Sequence, residues 1–465
     1  MKKIINIKNY SKNIAVYDGY NRAYTYKTIF ENSDKLKMVL GDRCVILVLC
    51  DRNLETISFV LELMLQGYVP LLMPNDINLI VLNKLIEAYK PSYVYLSNVD
   101  EFGKENRYEK IMLKLENHYV LKLFGYNYKL NEELALLLTT SGTTGSRKLV
   151  RISYNNLHYS CLYSCKKHMI REEHRGILSL PINHILGFIF CLWQWYVGAT
   201  VVITQDLIYS DKFEKVFIEN KINNFVGVPW QFSVLNKLDF WNEEKVKNLN
   251  FAMVAGSRII KEDVDNLINR LNNKILIAYG MTEVTGEIAS IPLKDCPEIE
   301  VVGCVMNEDF IEIDNKSSEI IVSNNRVCLG YANSFQDLDL GNVNKGKINT
   351  GDIGYIDERG NLYIKGRISR YIKILGKRIS LDEIECLINK TLNENIVCIE
   401  KNDELCICCD STLDEEVYKK IKDFVTWDLK INKQFFNLVR VDNIPLTESG
   451  KVNYCKMKSA IERLS

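Results

Sequence analysis

The chain has 465 residues and carries 59 basic and 59 acidic side chains. That balance argues against a partner held by bulk electrostatics, nucleic acid above all. With 47% apolar and 25% charged residues the chain is neither disordered nor collagen-like, and its length calls for two domains or more.

The N-terminus, MKKIINIKNYSKN, holds no apolar run of signal-peptide length. CVILVL at 44–49 is a short apolar run that suits a buried strand. Residues 53–66 place Leu54, Ile57, Leu61 and Met64 at helical spacing, with Gly67 positioned to end the helix. YVPLLM follows as a strand, then a helix at about 79–89 and the strand YVYL. This βαβ rhythm predicts a parallel sheet covered by helices.

Residues 185–203 carry no charge and are long enough to suggest a membrane span. Gly198 interrupts them and the β-branched VVI comes after it, so helix, tight turn and buried strand fit better. The rhythm then returns as NNFVGVP, LNFAMVAGS, a helix at 261–273 and ILIAYG. Ligands of such sheets gather beyond the carboxyl ends of strands, here Gly256-Ser257-Arg258 and Gly280-Met281-Thr282-Glu283. Residues 300–365 read as antiparallel strands, and about 370–465 as a small α+β unit. That unit opens with the hairpin YIKILGKRI and a helix carrying the capping box Ser380-x-x-Glu383.

The fourteen cysteines follow neither a disulfide framework nor a zinc pattern. Cys406, Cys408 and Cys409 sit on one strand whose alternate residues face opposite ways, which no single metal accommodates easily. Buried thiols in a reducing, cytoplasmic protein are expected.

The segment LLLTTSGTTGSRKLV, 136–150, runs an apolar strand into Thr140, Ser141, Gly142, Thr143, Thr144 and Gly145, followed by Arg147 and Lys148. Two glycines, several hydroxyls and two cations suit a polyphosphate, although the spacing is not that of the standard P-loop. Three more motifs follow in order: Tyr279-Gly280-Met281-Thr282-Glu283, Thr350-Gly351-Asp352, and PLTESGK ending at Lys451. With LPINHILG at 180–187, LGY at 329–331 and ISLDEIE at 379–385, the chain resembles the adenylate-forming superfamily over nearly its whole length. That superfamily includes acyl-CoA synthetases, adenylation domains of nonribosomal peptide synthetases and firefly luciferase.

The resemblance implies an α/β fold: a large N-terminal domain of βαβ-layered sheets plus a small distorted barrel over 1–366, and a mobile α+β lid over 367–465 carrying Lys451. It implies two steps. A carboxylic acid attacks the α-phosphorus of ATP to give an acyl-adenylate and pyrophosphate. A thiol, from coenzyme A or the phosphopantetheine of a separate carrier protein, then takes the acyl group.

The roles implied are as follows. The 140–145 loop and Lys148 hold the outer phosphates, Thr282 bonds the α-phosphate, and Glu283 holds Mg²⁺. Tyr279 and the Gly256-Ser257-Arg258 turn flank adenine, with Gly280 and Met281 beside them. Asp352 and Arg367 reach the ribose, Lys451 bridges the attacking carboxylate and the phosphate, and Ser369 is the hinge. Asn183, His184, Trp230, Val254 and Ala255 line the acid pocket. His184 reads equally as a pocket wall or as a packed histidine. Amino-acid-activating members carry an Asp in this stretch; residues 182–186 contain none, which favours an acid without an α-amino group.

Three positions depart from the family pattern: Arg147 where Pro is common, Ser369 where Asp or Lys is common, and Ser380 where Glu is usual. The basic Gly376-Lys377-Arg378 turn reads either as a contact to a phosphopantetheine phosphate or the nucleotide, or as a solvated hairpin tip. The chain as read ends fourteen residues past Lys451, so a carrier is expected to act in trans. The opposing reading is a non-catalytic nucleotide-binding scaffold. An oxidative, luciferase-type reaction is more remote.

Overall fold

The computed structural model describes all residues except 1–3, 6, 98, 100–101, 103–107, 116, 124–126, 140–147, 260, 297–300, 305–310, 369, 375–376, 393, 402–403, 430, 448–451 and 464–465. The chain divides into two compact units, Met1–Ile299 with Ser323–Ile348, and Glu300–Val322 with Asn349–Ser465.

The first unit contains two sheets. In one, the strands Ile14–Tyr17, Thr200–Ile203, Arg175–Leu178, Asn224–Gly227, Phe251–Ala255 and Ile275–Met281 lie side by side in that order, all parallel. Gly286–Pro292 turns back antiparallel beside Ile275–Met281. The second sheet runs Gly330–Ala332, Leu149–Ser153, Leu134–Thr139, Val69–Pro74, Val45–Cys50, Tyr93–Leu96, His118–Lys122 and Lys110–Leu115. Its central strands are parallel and buried on both faces, which is why they read as unbroken apolar runs.

The predicted elements form within a residue or two of their expected bounds. Leu54–Leu65 starts at Asn53, whose side chain accepts from the Thr56 N–H. It ends where Gly67 takes φ +84° and the Gly67 and Tyr68 amides donate back to Met64 and Leu63. The charge-free stretch divides into the helix Ile185–Val197, left-handed Gly198 and the strand Thr200–Ile203. A Cβ on Gly198 would fall 2.3 Å from the Tyr10 ring, so the turn requires glycine. Among the described residues, no helix is long and apolar enough to cross a membrane.

The second unit holds the antiparallel strands expected between 300 and 365. Ile311–Ile313, Glu319–Ser323, Lys347–Ile356, Asn361–Arg367 and Val301–Cys304 lie in that order. Thr350-Gly351-Asp352 lies within the strand Lys347–Ile356. The hairpin Tyr371–Ile374 and Lys377–Ser380 leads into the helix Leu381–Leu392. The side chain of Glu383, half of the expected capping box, lies outside the described residues, as do those of Lys377 and Arg378 and all of Gly376. A three-stranded sheet of Val397–Lys401, Glu404–Asp410 and Phe436–Val441 completes the tail. Cys406 and Cys408 face one apolar cluster with Met457, and Cys409 faces another with Ile388, as strand alternation requires.

Candidate functional site

The parallel sheet of the first unit has a topological switch point. From Arg175–Leu178 the chain moves to one side for Thr200–Ile203, then crosses to the other for Asn224–Gly227. The loops leaving Leu178 and Gly227 therefore diverge and open a crevice, the usual ligand position in such sheets. Asn183 and His184 stand on the first loop, and Trp230 stands just beyond the second. Asn183 is buried, His184 is half-buried at the start of the helix Ile185–Val197, and Trp230 is 43% exposed. Val254 and Ala255 are buried at the end of the next strand. Gly256, at φ +97°, begins an exposed turn that continues through Ser257 and Arg258. Tyr279, Gly280 and Met281 end the strand beyond that. The predicted acid-pocket residues and the predicted adenine contacts thus share one edge of one sheet.

Thr282 and Glu283 form the turn that reverses the chain from Ile275–Met281 into Gly286–Pro292. The ladder bulges between Tyr279 and Gly280, and a Cβ on Gly280 would fall 2.3 Å from the Gly286 carbonyl oxygen. Only glycine permits that approach. Beyond the turn Thr285 is left-handed at φ +53°. Thr282 and Glu283 are both buried, each 8% exposed.

Glu283 reaches a partner that the motif reading passed over. The Tyr331 hydroxyl donates to Glu283 Oε1 at 2.9 Å. Lys148 Nζ lies 3.4 Å from the centroid of the same Tyr331 ring, a cation–π contact. Burial, reinforced by the Glu283 carboxylate, pushes the Tyr331 phenol far above its usual range, so it stays a hydrogen donor. The predicted phosphate lysine and the predicted metal carboxylate are therefore joined through one tyrosine. LGY was visible as a weak motif; the signal in it was the aromatic residue on the strand that pairs with Leu149–Ser153, right after Lys148.

One carboxylate and one hydroxyl at a turn are hard oxygen donors. They fit Mg²⁺, which takes one or two protein carboxylates and completes its shell with phosphate oxygens and water. Among the described residues no group of three or more His, Cys, Asp or Glu gathers to hold a metal by itself. Mg²⁺ brought in on a nucleotide suits that donor set better than a caged metal does.

In the second unit Asp352 and Arg367 face each other across the Lys347–Ile356 and Asn361–Arg367 ladder. Arg367 Nε donates to Asp352 Oδ1 at 3.0 Å. The Asp352 side chain is 7% exposed, and that of Arg367 is 61% exposed. The structure thus brings the two predicted ribose contacts together as an ion pair. Thr140, Ser141, Gly142, Thr143, Thr144, Gly145, Arg147, Ser369 and Lys451 lie outside the described residues.

A second polar cluster had no motif to announce it. Glu287, 4% exposed, accepts from Ser290 at 2.6 Å and Ser164 at 3.1 Å, pairs with His168 Nε2 at 2.8 Å and lies 3.3 Å from Lys167 Nζ. Burial alone would raise its pKa; the charges of His168 and Lys167 and the hydrogen bonds outweigh that and hold the carboxyl well below its usual range.

Residues 6–331 match the model of the family described as AMP-binding enzyme. The oxalate–CoA ligase of Saccharomyces cerevisiae is 24% identical over 377 residues, covering 76% of this chain and 68% of that protein. The D-alanine–D-alanyl carrier protein ligase of Streptococcus pneumoniae is 22% identical, covering 94% and 93%. Among solved structures, the Bacillus subtilis o-succinylbenzoate CoA synthetase in complex with its acyl-adenylate intermediate superposes with a TM-score of 0.78 at 18% identity, covering 97% and 96%.

Proposed function

Because this chain belongs to the AMP-binding enzyme family, we propose that it is an AMP-forming acid–thiol ligase. The observation that carries the reading is the contact series Lys148–Tyr331–Glu283 beside Thr282. It is a cation, a neutral donor and a carboxylate, groups that suit a Mg²⁺-bound polyphosphate.

In the first step a carboxylate oxygen bonds to the α-phosphorus of ATP and the bond to the bridging oxygen breaks, releasing pyrophosphate. An anion must approach a polyanion, so the site supplies positive charge and fixed position. Lys148 and the 140–145 hydroxyls hold the outer phosphates, Thr282 bonds the α-phosphate, and Glu283 holds Mg²⁺. The metal, when bound, neutralises phosphate charge. Asp352 and Arg367 take the ribose, and Lys451 meets the charge that grows between carboxylate and phosphate. In the second step a thiol attacks the acyl carbon and AMP leaves. The 367–465 segment turns about Ser369 between the steps.

The acid lacks an α-amino group, since no carboxylate stands at 182–186 to pair with an ammonium. The acceptor is coenzyme A or a carrier protein. The relatives include ligases named for each. The setting is cytoplasmic and reducing, in keeping with eight buried thiols.

Carboxylate-dependent ATP–pyrophosphate exchange, screened over acids, tests the proposal. Exchange with at least one acid is expected. ATP binding without exchange from any acid would favour the scaffold reading. Adding coenzyme A or candidate carriers then identifies the acceptor.

A further inference from the structure

We propose that the helix Tyr154–Lys167 and its cap form a buried polar clamp on Thr285–Glu287, and that Ser160 and Glu287 are positioning residues for Thr282 and Glu283. The inference rests on reading that pair as the phosphate and Mg²⁺ contacts.

Thr285 is the first observation. It is β-branched, fully buried and left-handed at φ +53° and ψ +45°. That conformation is unfavourable for such a residue and persists only where the surroundings over-determine it. Here they do. Ser160 Oγ donates to the Thr285 carbonyl at 2.7 Å, and Thr285 Oγ1 donates to the Arg326 carbonyl at 2.7 Å. The Thr285 amide donates to the Thr282 carbonyl at 3.0 Å, so the strained residue closes the turn that carries the functional pair.

The second observation is Glu287, two residues on. Its side chain is held by Ser164, His168, Lys167 and Ser290, and its carbonyl accepts from Arg326 Nη1 at 2.8 Å. Ser160, Ser164 and His168 are spaced by four, so one helical stripe holds both anchors. That helix begins where Leu149–Ser153 ends, and this strand starts right after Lys148. The phosphate lysine and the Thr282–Glu283 turn are therefore referred to one rigid element.

An apolar interface would join the helix and the hairpin without burying an ionised carboxylate, which is costly. Directional hydrogen bonds do what apolar packing does not: they fix the rotation of the turn. A misdirected Glu283 would weaken Mg²⁺-dependent nucleotide binding and leave the acid's own contacts alone.

The test compares wild type, Ser160→Ala and Glu287→Gln. Calorimetry measures ATP binding with and without Mg²⁺, and AMP binding; exchange assays give kcat and the KM of the acid; thermal unfolding gives Tm. Removing one buried hydrogen bond should weaken Mg²⁺-dependent ATP binding about tenfold in Ser160→Ala, with AMP affinity falling less, because AMP keeps the Thr282 contact but not the Mg²⁺-bound outer phosphates, and the acid's KM within about twofold of wild type. Glu287→Gln should move the same quantities further. Lower Tm with unchanged Mg²⁺ dependence would overturn the clamp and make it ordinary core. If Glu287→Gln does not fold, Ser160→Ala alone decides. Absence of exchange with every acid would remove the ligase reading, while the ATP-binding arm still decides the clamp.

Discussion

Glu62 sits on the helix Leu54–Leu65 and is 6% exposed. Asn32 Nδ2 donates to its Oε1 at 3.2 Å. Burial raises its pKa from 4.5 to about 7, with the Asn32 bond and the Lys35 charge offsetting only part of the penalty. The folded state therefore holds this proton more tightly than the unfolded state does. Below about pH 4.5 both states are protonated and the group costs nothing. Between pH 4.5 and 7 the cost grows with pH, and above 7 it levels at about 3.5 kcal/mol, from about 1.4 kcal/mol per pKa unit. Glu62→Gln keeps an oxygen for Asn32 and removes the ionisation. In urea unfolding at pH 5, 6.5 and 8, the variant should gain about 2.5 kcal/mol on wild type between the first pH and the last. The readout is the slope with pH, so a constant offset from the new amide does not disturb it. Equal differences at all three pH values would refute the reasoning, because they would mean that Glu62 ionises in the fold as it does in water.

Three further outcomes follow from the site. Tyr331→Phe keeps the ring under Lys148 but loses the hydroxyl on Glu283. A hydrogen bond to a charged group is worth about 1.5–3 kcal/mol, so the Mg²⁺ concentration for half-maximal exchange should rise at least tenfold while the acid's KM stays put. Lys451→Ala should abolish exchange yet leave thioester formation from supplied acyl-adenylate largely intact; equal loss of both half-reactions would sink the two-state reading. Gly280→Ala pushes a methyl to 2.3 Å from the Gly286 carbonyl oxygen, a backbone atom that cannot swing aside. It should lower stability by about 2 kcal/mol and exchange with it, and an unchanged Tm would contradict the close approach.

The sequence made the layered α/β architecture legible because periodicity survives without tertiary context. Val45–Cys50 is apolar on both faces since it is buried on both, and Gly67 and Gly198 mark chain reversals that only glycine takes easily. The motifs at Gly256 and Gly280 do stand at the ends of neighbouring strands. What local pattern did not encode was contact between distant segments. Tyr331 lies forty-eight residues from Glu283 and is paired with it by a single hydroxyl. Glu287 and His168 are 119 residues apart, and neither stands in a recognisable motif. Asp352 and Arg367 were legible as separate candidates, but their ion pair follows from the register of one hairpin, set by a bulge between Ile353 and Gly354.

The meeting of Lys148 with Tyr331 has a cause of its own in Arg151. This side chain is fully buried, and among the described residues its hydrogen bonds go to no carboxylate. Its Nε donates to the Tyr331 carbonyl at 3.2 Å, its Nη2 to the Leu329 and Gly341 carbonyls at 3.2 Å, and its Nη1 to that of Leu340. A guanidinium stays charged even when burial lowers its pKa, as it does here, so its donors must be satisfied. Main-chain oxygens do this, and in doing so they fold residues 329–341 around it. The short strand Gly330–Ala332 is thereby fixed against Leu149–Ser153, with Tyr331 opposite Val150. Tyr331 then stands two residues from Lys148 in register, close enough to take the ammonium on its ring while its hydroxyl holds Glu283. A cation outside the proposed chemistry thus sets the distance between the two charges that the proposed chemistry uses.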